Sequence, residues 1–370
     1  MKRPYDLGFL GGGQLARMSI QAAQRMGLRC LSLDVSPDSP ASQIAESVQG
    51  SLDDADAIAT ILVECDRVTL ENEFIPARSI REAFGKSRRD EACLVPGTFT
   101  LETIQDKFSQ RKALEAANVP SAHAVAILDN PDQAVREIGF PMVLKSRFGG
   151  YDGKGTRYAR NADELESHRE LWGAGGWMAE AYVPFVRELA VMVFVAENQV
   201  GTFPTMETVQ TNHVCDLVFP SGVDASQVAM EAVRAVRGHG LFGVELFELN
   251  DGSFVINEIA PRPHNTGHYS LDWGGVSQFE QHVRLAMGFP CDSPVGNPVC
   301  MANLLGLSEV TGNLQAAIAA ATQEPGVHVH WYGKGPRLGR KVGHINVVGE
   351  NCVERAKQAR ARFWNAYQAE

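Results

Sequence analysis

The stretch GVELFELNDGSFVINE, residues 243–258, decides how the rest of the chain is read. Two runs of strand character, VELFEL (244–249) and SFVINEIA (253–260), flank Asp251-Gly252. That dipeptide is a strong two-residue hairpin signal, because a type I′ turn needs positive φ at both central positions. A turn there pairs Asn250 with Ser253 and, counting outward, Glu245 with Glu258. The count makes them a non-hydrogen-bonded pair, with Cβ atoms roughly 4.5–5.5 Å apart. Two like charges so placed destabilise a ladder. A hard divalent cation resolves the conflict, since Mg²⁺ binds one or two carboxylates together with substrate phosphates. The competing reading is a solvated acidic face. Simple alternation, however, sets Phe247, Leu249, Phe254 and Ile256 beside the two glutamates and makes that face mostly apolar. The same alternation points Asn257 to the opposite side.

Upstream lies VLKSRFGGYDGKGTR (143–157). Lys145 sits late in an apolar strand, and a glycine-rich hairpin with acidic and basic groups at its tip follows. Backbone N–H groups of such a loop can cradle phosphates, and a lysine adds a point charge. The Walker A pattern is absent, and an exposed turn with a snorkelling lysine is the plain alternative. The carboxylate pair downstream favours a metal–nucleotide site.

A second glycine cluster stands near the N-terminus. Gly11, Gly13 and Ala16 fit G-x-G-x-x-G/A between a strand (5–10) and a helix (14–26), and Asp34 ends the next strand. Those are the marks of a dinucleotide fingerprint. Three readings stand side by side here: a dinucleotide site, a site for another phosphorylated ligand, and a bare βα turn.

Composition narrows the classes. The net charge is -10 over 370 residues, so nucleic acid is an unexpected partner for the chain as a whole. Seven cysteines without a C-x-x-C pair read as reduced thiols rather than a disulfide or zinc framework. No apolar run is long enough to span a membrane, and no signal-peptide core is visible, so the expected compartment is the cytoplasm. The length suggests two or three domains. β-loop-α alternation over residues 5–85 predicts a parallel sheet. Strands at 124–128, 141–147, 156–159 and 177–183, with helices at 130–139 (capped by Asn130) and 161–172 (capped by Asn161), predict a small α+β unit. Beyond it come strands at 186–196, 244–249 and 253–260, a helix over 225–238, a helix near 314–321, a basic glycine-rich segment (333–343) and a final helix (352–368). His123, His168, His239 and His282 read as surface or core residues.

A lysine strand, a glycine-rich hairpin, a strand ending in an acidic residue and a paired Glu/Asn-Glu hairpin together resemble the ATP-grasp fold. GGGQLARM (11–18), GGYDGKG (149–155), NEIAPRPHNTGHY (257–269), SQFEQH (277–282) and HWYGKGPRLGRKVGHIN (330–346) resemble the 5-(carboxyamino)imidazole ribonucleotide synthetase family, nearly end to end. The resemblance implies an α/β architecture. It has a Rossmann-like N-terminal domain (1–105), an ATP-grasp domain (106–298) with a mobile lid at about 107–183, and a small C-terminal domain (299–370). It also implies that the Gly11–Ala16 loop faces a ribonucleotide and that Asp34 is structural.

Roles follow from the resemblance position by position. Lys107 and Lys145 would contact ATP phosphates, and Gly150, Tyr151, Asp152, Gly153, Lys154, Gly155 and Thr156 would cover them. Glu180, Ala181, Tyr182 and Val183 would form the hinge that reads adenine, and Glu188 would bind the ribose. Asn257 and Glu258 would complete the nucleotide–metal site with Glu245. Gly13, Gln14, Glu73, Lys154, Arg262, His264, Asn265, Lys334, Arg340 and Lys341 would hold the substrate, with Tyr151 and His264 beside the reacting groups. Asp152 would serve as base and Lys334 would hold developing carbamate charge. Two departures stand out: Gln210 replaces the family's usual histidine in an offset segment (204–217), and Asn72 replaces an apolar residue in Glu71-Asn72-Glu73. The implied reaction consumes ATP, bicarbonate and 5-aminoimidazole ribonucleotide with Mg²⁺ as cofactor, in a homodimer. The rivals are another ATP-grasp ligase (a formate-using transformylase or a biotin carboxylase), a nicotinamide dehydrogenase, and a non-catalytic nucleotide sensor.

Overall fold

The computed structural model describes residues 3–128, 130–150, 155–173, 175–307, 311–335 and 337–368. Its first layer is a five-stranded sheet in the order Glu46–Gln49, Cys30–Asp34, Tyr5–Leu10, Cys65–Leu70, Leu94–Val95, parallel throughout. The central strands are near-continuous apolar runs because both faces are covered. On one face Leu10, Leu33 and Val68 pack against Ile58, Ile61, Ile80 and Phe84. On the other, Leu7 and Phe9 pack with Ile20 and with Val283 and Ala286 of the distant helix Gln278–Met287.

A four-stranded antiparallel sheet follows, in the order Ala124–Ile127, Trp177–Ala181, Met142–Ser146, Thr156–Ala159. The third and largest sheet has nine strands. Phe254–Ala260, Gly240–Glu248, Arg187–Val195, Met206–Thr211 and Val214–Pro220 continue directly into Val299–Leu305, Lys341–Val348 and Val327–Trp331, while Val200–Thr202 pairs with Arg187–Val195. The join is the pairing of Leu217 with Ala302. The tail of the chain is therefore hydrogen-bonded into the sheet that carries the acidic hairpin. Its own helices, Leu314–Ala321 and Cys352–Gln368, bury Ala317, Phe363 and Tyr367 against it.

Most predicted elements are present, with shifted ends. Several strands carried no sequence expectation: Met206–Thr211, Val214–Pro220, Val299–Leu305, Val327–Trp331 and Lys341–Val348. The basic segment thus ends in a strand from Lys341 onward. The helix expected at 130–139 is shorter, Asp132–Glu137, and begins after Pro131. Asn130 accepts only the Asp132 N–H. Asn161 does cap its helix through Glu164 N–H, but that helix stops at Glu166. All seven cysteines are free thiols.

The N-terminal and C-terminal parts meet at a small apolar cluster. Tyr332, 1% exposed, packs with Leu15, Met18 and Phe279, and Gln43 Nε2 donates to Gly333 O (3.2 Å). Burying a ring of that size contributes roughly 1.5–3 kcal/mol. It fixes the basic loop after Tyr332 beside the N-terminus of the helix Gln14–Arg25.

Candidate active site

Glu245 and Glu258 face each other across the antiparallel ladder as the count requires. The route to that register differs from the expectation. Gly252 N–H bonds to Leu249 O (3.0 Å) and Leu249 N–H to Ser253 O (2.9 Å). Within this turn only Gly252 has positive φ, +80°. The connection is a three-residue loop, Asn250-Asp251-Gly252, not a type I′ turn at Asp251-Gly252. Asp251 Oδ1 stabilises it by accepting the Ser253 N–H at 2.9 Å. The pairs next to the turn, Glu248 with Phe254 and Leu246 with Ile256, are consequently one residue out of the counted register.

A β-bulge then restores it. Asn257 has no partner across the ladder, so Glu258 returns to Glu245. A bulge re-aims side chains. Here it turns Asn257 into the cleft, where Oδ1 accepts from Lys145 Nζ at 3.2 Å. It also turns Phe254 and Ile256 away from the glutamate face. Ile256 is fully buried with Leu246 and Val244, which corrects the expectation that both share the face of Glu245.

Cations gather around this hairpin. Lys107, at the start of the helix Lys107–Ala116, places Nζ 2.8 Å from Glu258 Oε1. Lys145 Nζ stands 2.7 Å from Glu180 Oε2, and Arg111 Nε is 2.7 Å from Glu180 Oε1. The second nitrogen of that guanidinium donates to Asn257 O at 2.5 Å. Arg111 was not foreseen, although it follows Lys107 by four residues on one helix and so shares its face. Glu180 is only 3% exposed. Burial opposes its charge, but Arg111 and Lys145 outweigh burial and bring it down to about 2. Its carboxylate is committed to two cations, while its backbone lies in the strand Trp177–Ala181.

The two facing carboxylates titrate apart. Burial first, then Glu258 and Glu188, push Glu245 up to about 7. Burial acts on Glu258 too, but Lys107, followed by Lys145 and Arg111, holds it below the ordinary carboxylate range.

One cleft of about 790 Å³ takes in these groups and continues to the basic C-terminal loop. Lys107, Lys145, Gly150, Gly155, Thr156, Glu180, Ala181, Tyr182, Val183, Glu188, Gln210, Glu245, Asn257 and Glu258 line it. So do Gln14, Glu73, Arg262, His264, Asn265, Lys334, Arg340 and Lys341. Tyr151, Asp152, Gly153 and Lys154 lie outside the described residues. Gly13 caps the helix at Gln14; a Cβ there would come within 2.3 Å of Glu71 Oε1.

Between the two ends, Arg262 grips Glu73 with both prongs of its guanidinium. Gly243 lets His264 approach: a Cβ at 243 would stand 2.4 Å from His264 Cβ. His264 Nδ1 lies 2.8 Å from Thr266 Oγ1, and Nε2 lies 3.8 Å from Glu245 Oε1. Burial, then Arg262, Lys341 and His268, drive its pKa well below the usual histidine range, so the imidazole is neutral. Asn265 is paired with Asn303 through both side-chain amides. Burial, reinforced by Arg340, Lys341 and Arg337 and opposed by Glu71, brings Lys334 down to about 8.

The N-terminal glycine loop is internally satisfied. Asp34 Oδ2 accepts the Gly12 N–H at 2.9 Å. The Glu71 carboxylate lies against the helix start and accepts from the Leu15 backbone. The Gly11 and Gly12 N–H groups and both Asp34 oxygens are already bonded within the protein, and Asp34, the residue a dinucleotide's ribose would need, is thereby structural.

A carboxylate hairpin, a lysine strand and the glycines Gly150 and Gly155 converging on one cleft are those of an ATP-grasp enzyme, and residues 112–279 match the ATP-grasp domain family. Residues 4–105 match the ribonucleotide synthetase preATP-grasp domain, and residues 299–359 the phosphoribosylaminoimidazole carboxylase C-terminal domain. The chain is 36% identical over 371 residues to N5-carboxyaminoimidazole ribonucleotide synthase of Synechococcus elongatus, covering 95% of this chain and 92% of that one. It is 35% identical to phosphoribosylaminoimidazole carboxylase of Candida glabrata, of whose length it spans 64%. A crystal structure of N5-carboxyaminoimidazole synthase from Aspergillus clavatus, in complex with ADP and 5-aminoimidazole ribonucleotide, matches with a TM-score of 0.87 at 30% identity over 99% of both chains. The chain belongs to the N5-carboxyaminoimidazole ribonucleotide synthase family.

Proposed function

We propose that the chain carboxylates the exocyclic amine of 5-aminoimidazole ribonucleotide, using ATP and bicarbonate, to give 5-(carboxyamino)imidazole ribonucleotide in purine biosynthesis. The observation that carries this reading is the single cleft. A carboxylate pair with two lysines stands at one end, and Lys334, Arg340 and Lys341 stand at the other.

The residues fit Mg²⁺. Glu245 and Glu258 are like charges placed face to face, and burial, then Glu258, makes Glu245 hold its proton more tightly. A divalent cation relieves that repulsion. Bound there with ATP, it would neutralise phosphate charge as phosphoryl transfer requires. Lys107 and Lys145 hold the phosphates, and the glycine turn around 150–156 covers them. Glu188 takes the ribose and the 180–183 hinge takes the base.

Bicarbonate is a poor electrophile. Attack of its oxygen on the γ-phosphorus expels ADP and forms carboxyphosphate. The amine nitrogen then bonds to the carboxyl carbon, either directly or through released CO₂, as the carbon–oxygen bond to phosphate breaks. The amine proton leaves to a base, assigned to Asp152. Lys334 stabilises the carbamate charge, and neutral His264 with Arg262 orients the reacting groups. Gln14 and Gly13 face the ribonucleotide, whose 5′-phosphate is held by Arg340 and Lys341. Water must be excluded because it destroys carboxyphosphate. On this reading the enzyme works as a cytoplasmic homodimer.

ADP release tests the proposal. It should require both bicarbonate and 5-aminoimidazole ribonucleotide. Turnover with another amine, or with formate in place of bicarbonate, would assign the chain to a different ligase reaction.

A further inference from the structure

The strands Met206–Thr211 and Val214–Pro220 are joined by a two-residue turn, with Thr211 paired to Val214. Both central residues are left-handed: Asn212 at φ 52° and His213 at φ 63°. This is the dihedral signature of a type I′ turn, whose second position glycine occupies without steric cost. Asn and His adopt the conformation more readily than most residues, but both meet the Cβ penalty that glycine escapes. The His213 ring is exposed and hydrogen-bonded to none of the described residues. It does stand on the wall of the cleft. A side chain kept at a conformational cost beside a binding site marks a functional position.

Its neighbours say what it meets. A register shift between Val209 and Gln210 re-aims the same hairpin, and Gln210 lines the cleft together with Glu188, whose charged form its amide favours. Positive charge on His213 would favour the Glu188 carboxylate. Glu188 pairs in the sheet with Phe247, which stacks on Phe185 at 4.4 Å and 11°. An aromatic slab thus lies next to three polar side chains, as a flat base and its sugar require.

We propose that His213 is a nucleotide-specificity residue that closes a ribose clamp with Glu188 and Gln210, donating a hydrogen bond to a sugar hydroxyl of the bound nucleoside triphosphate. The proposal rests on the ATP reading above.

His213→Gly tests it, because that change removes the ring and relieves the turn. Its melting temperature should equal or exceed that of the wild type. Its KM for ATP should rise about tenfold, the loss of one hydrogen bond in a site, while the KM for the ribonucleotide stays put. With 2′,3′-dideoxy-ATP, which offers no sugar hydroxyls, the variant and the wild type should have the same KM. An unchanged KM for ATP in a stable glycine variant overturns the clamp, as does an equal penalty with the dideoxy nucleotide. A wild-type protein that releases no ADP from ATP overturns the ATP reading itself, and the wild-type arm shows this separately.

Discussion

Lys107 Nζ lies 2.8 Å from Glu258 Oε1, so one of the two carboxylates facing each other across the hairpin is matched by an ammonium. Its opposite number, Glu245, has a neutral imidazole at 3.8 Å. Glu258 is held below the ordinary carboxylate range by Lys107, whereas burial, then Glu258 and Glu188, raise Glu245 to about 7.

Magnesium dependence should therefore vary with pH. A metal ligand must be deprotonated, so the concentration of Mg²⁺ giving half-maximal activity should fall as pH rises toward about 7 and level off above it. Glu258→Gln should abolish turnover and keep the fold. Near-normal activity of that variant at ordinary magnesium would remove the metal assignment.

The same group bears on stability. A carboxyl whose pKa is raised by folding binds its proton more tightly folded than unfolded. Its contribution is therefore fully present below the ordinary carboxylate range and is lost as pH rises through about 7. Glu245→Gln removes that liability. Without added metal, its melting temperature should match the wild type near about pH 4 and exceed it near about pH 8. A variant less stable than the wild type at the higher pH would contradict the titration.

Arg111 should matter for the fold and Lys145 for the nucleotide. Arg111→Leu breaks a buried pair with Glu180, which is 3% exposed, and should cost roughly 3–5 kcal/mol in urea unfolding. Lys145→Met leaves Arg111 on Glu180, so it should cost less stability yet weaken ATP binding strongly. Normal ATP affinity in Lys145→Met would show that the aliphatic stem, not the charge, is what the site uses.

The ribonucleotide end makes its own prediction. Arg340→Ala should raise the KM for 5-aminoimidazole ribonucleotide and leave that for ATP nearly unchanged. The effect should shrink with an analogue lacking the 5′-phosphate. A loss confined to ATP would move this loop to the other substrate.

Much of the site was legible in the sequence because it lies on one hairpin and a few motifs. The facing of Glu245 and Glu258 came out right although two one-residue departures lay underneath. The turn begins at Leu249, and the bulge at Asn257 compensates. Nothing in an Asp-Gly dipeptide distinguishes a two-residue loop from a three-residue one, and a bulge that turns Asn257 toward Lys145 has no propensity signal. The pairing of Leu217 with Ala302, which joins the tail to the large sheet, was equally hidden. A contact between residues 85 positions apart leaves no mark in local periodicity. The Gly11–Ala16 loop fitted the dinucleotide pattern because the pattern describes a strand–turn–helix geometry. What fills that geometry here, Asp34 and Glu71, is set by tertiary packing.

The central claim is that bicarbonate is activated by phosphorylation, and oxygen-18-labelled bicarbonate tests it most directly. Turnover with ATP and 5-aminoimidazole ribonucleotide should transfer one labelled oxygen to each phosphate released, because the bicarbonate oxygen that attacks the γ-phosphorus leaves with it. Phosphate that carries no label while the amine is carboxylated would contradict the account.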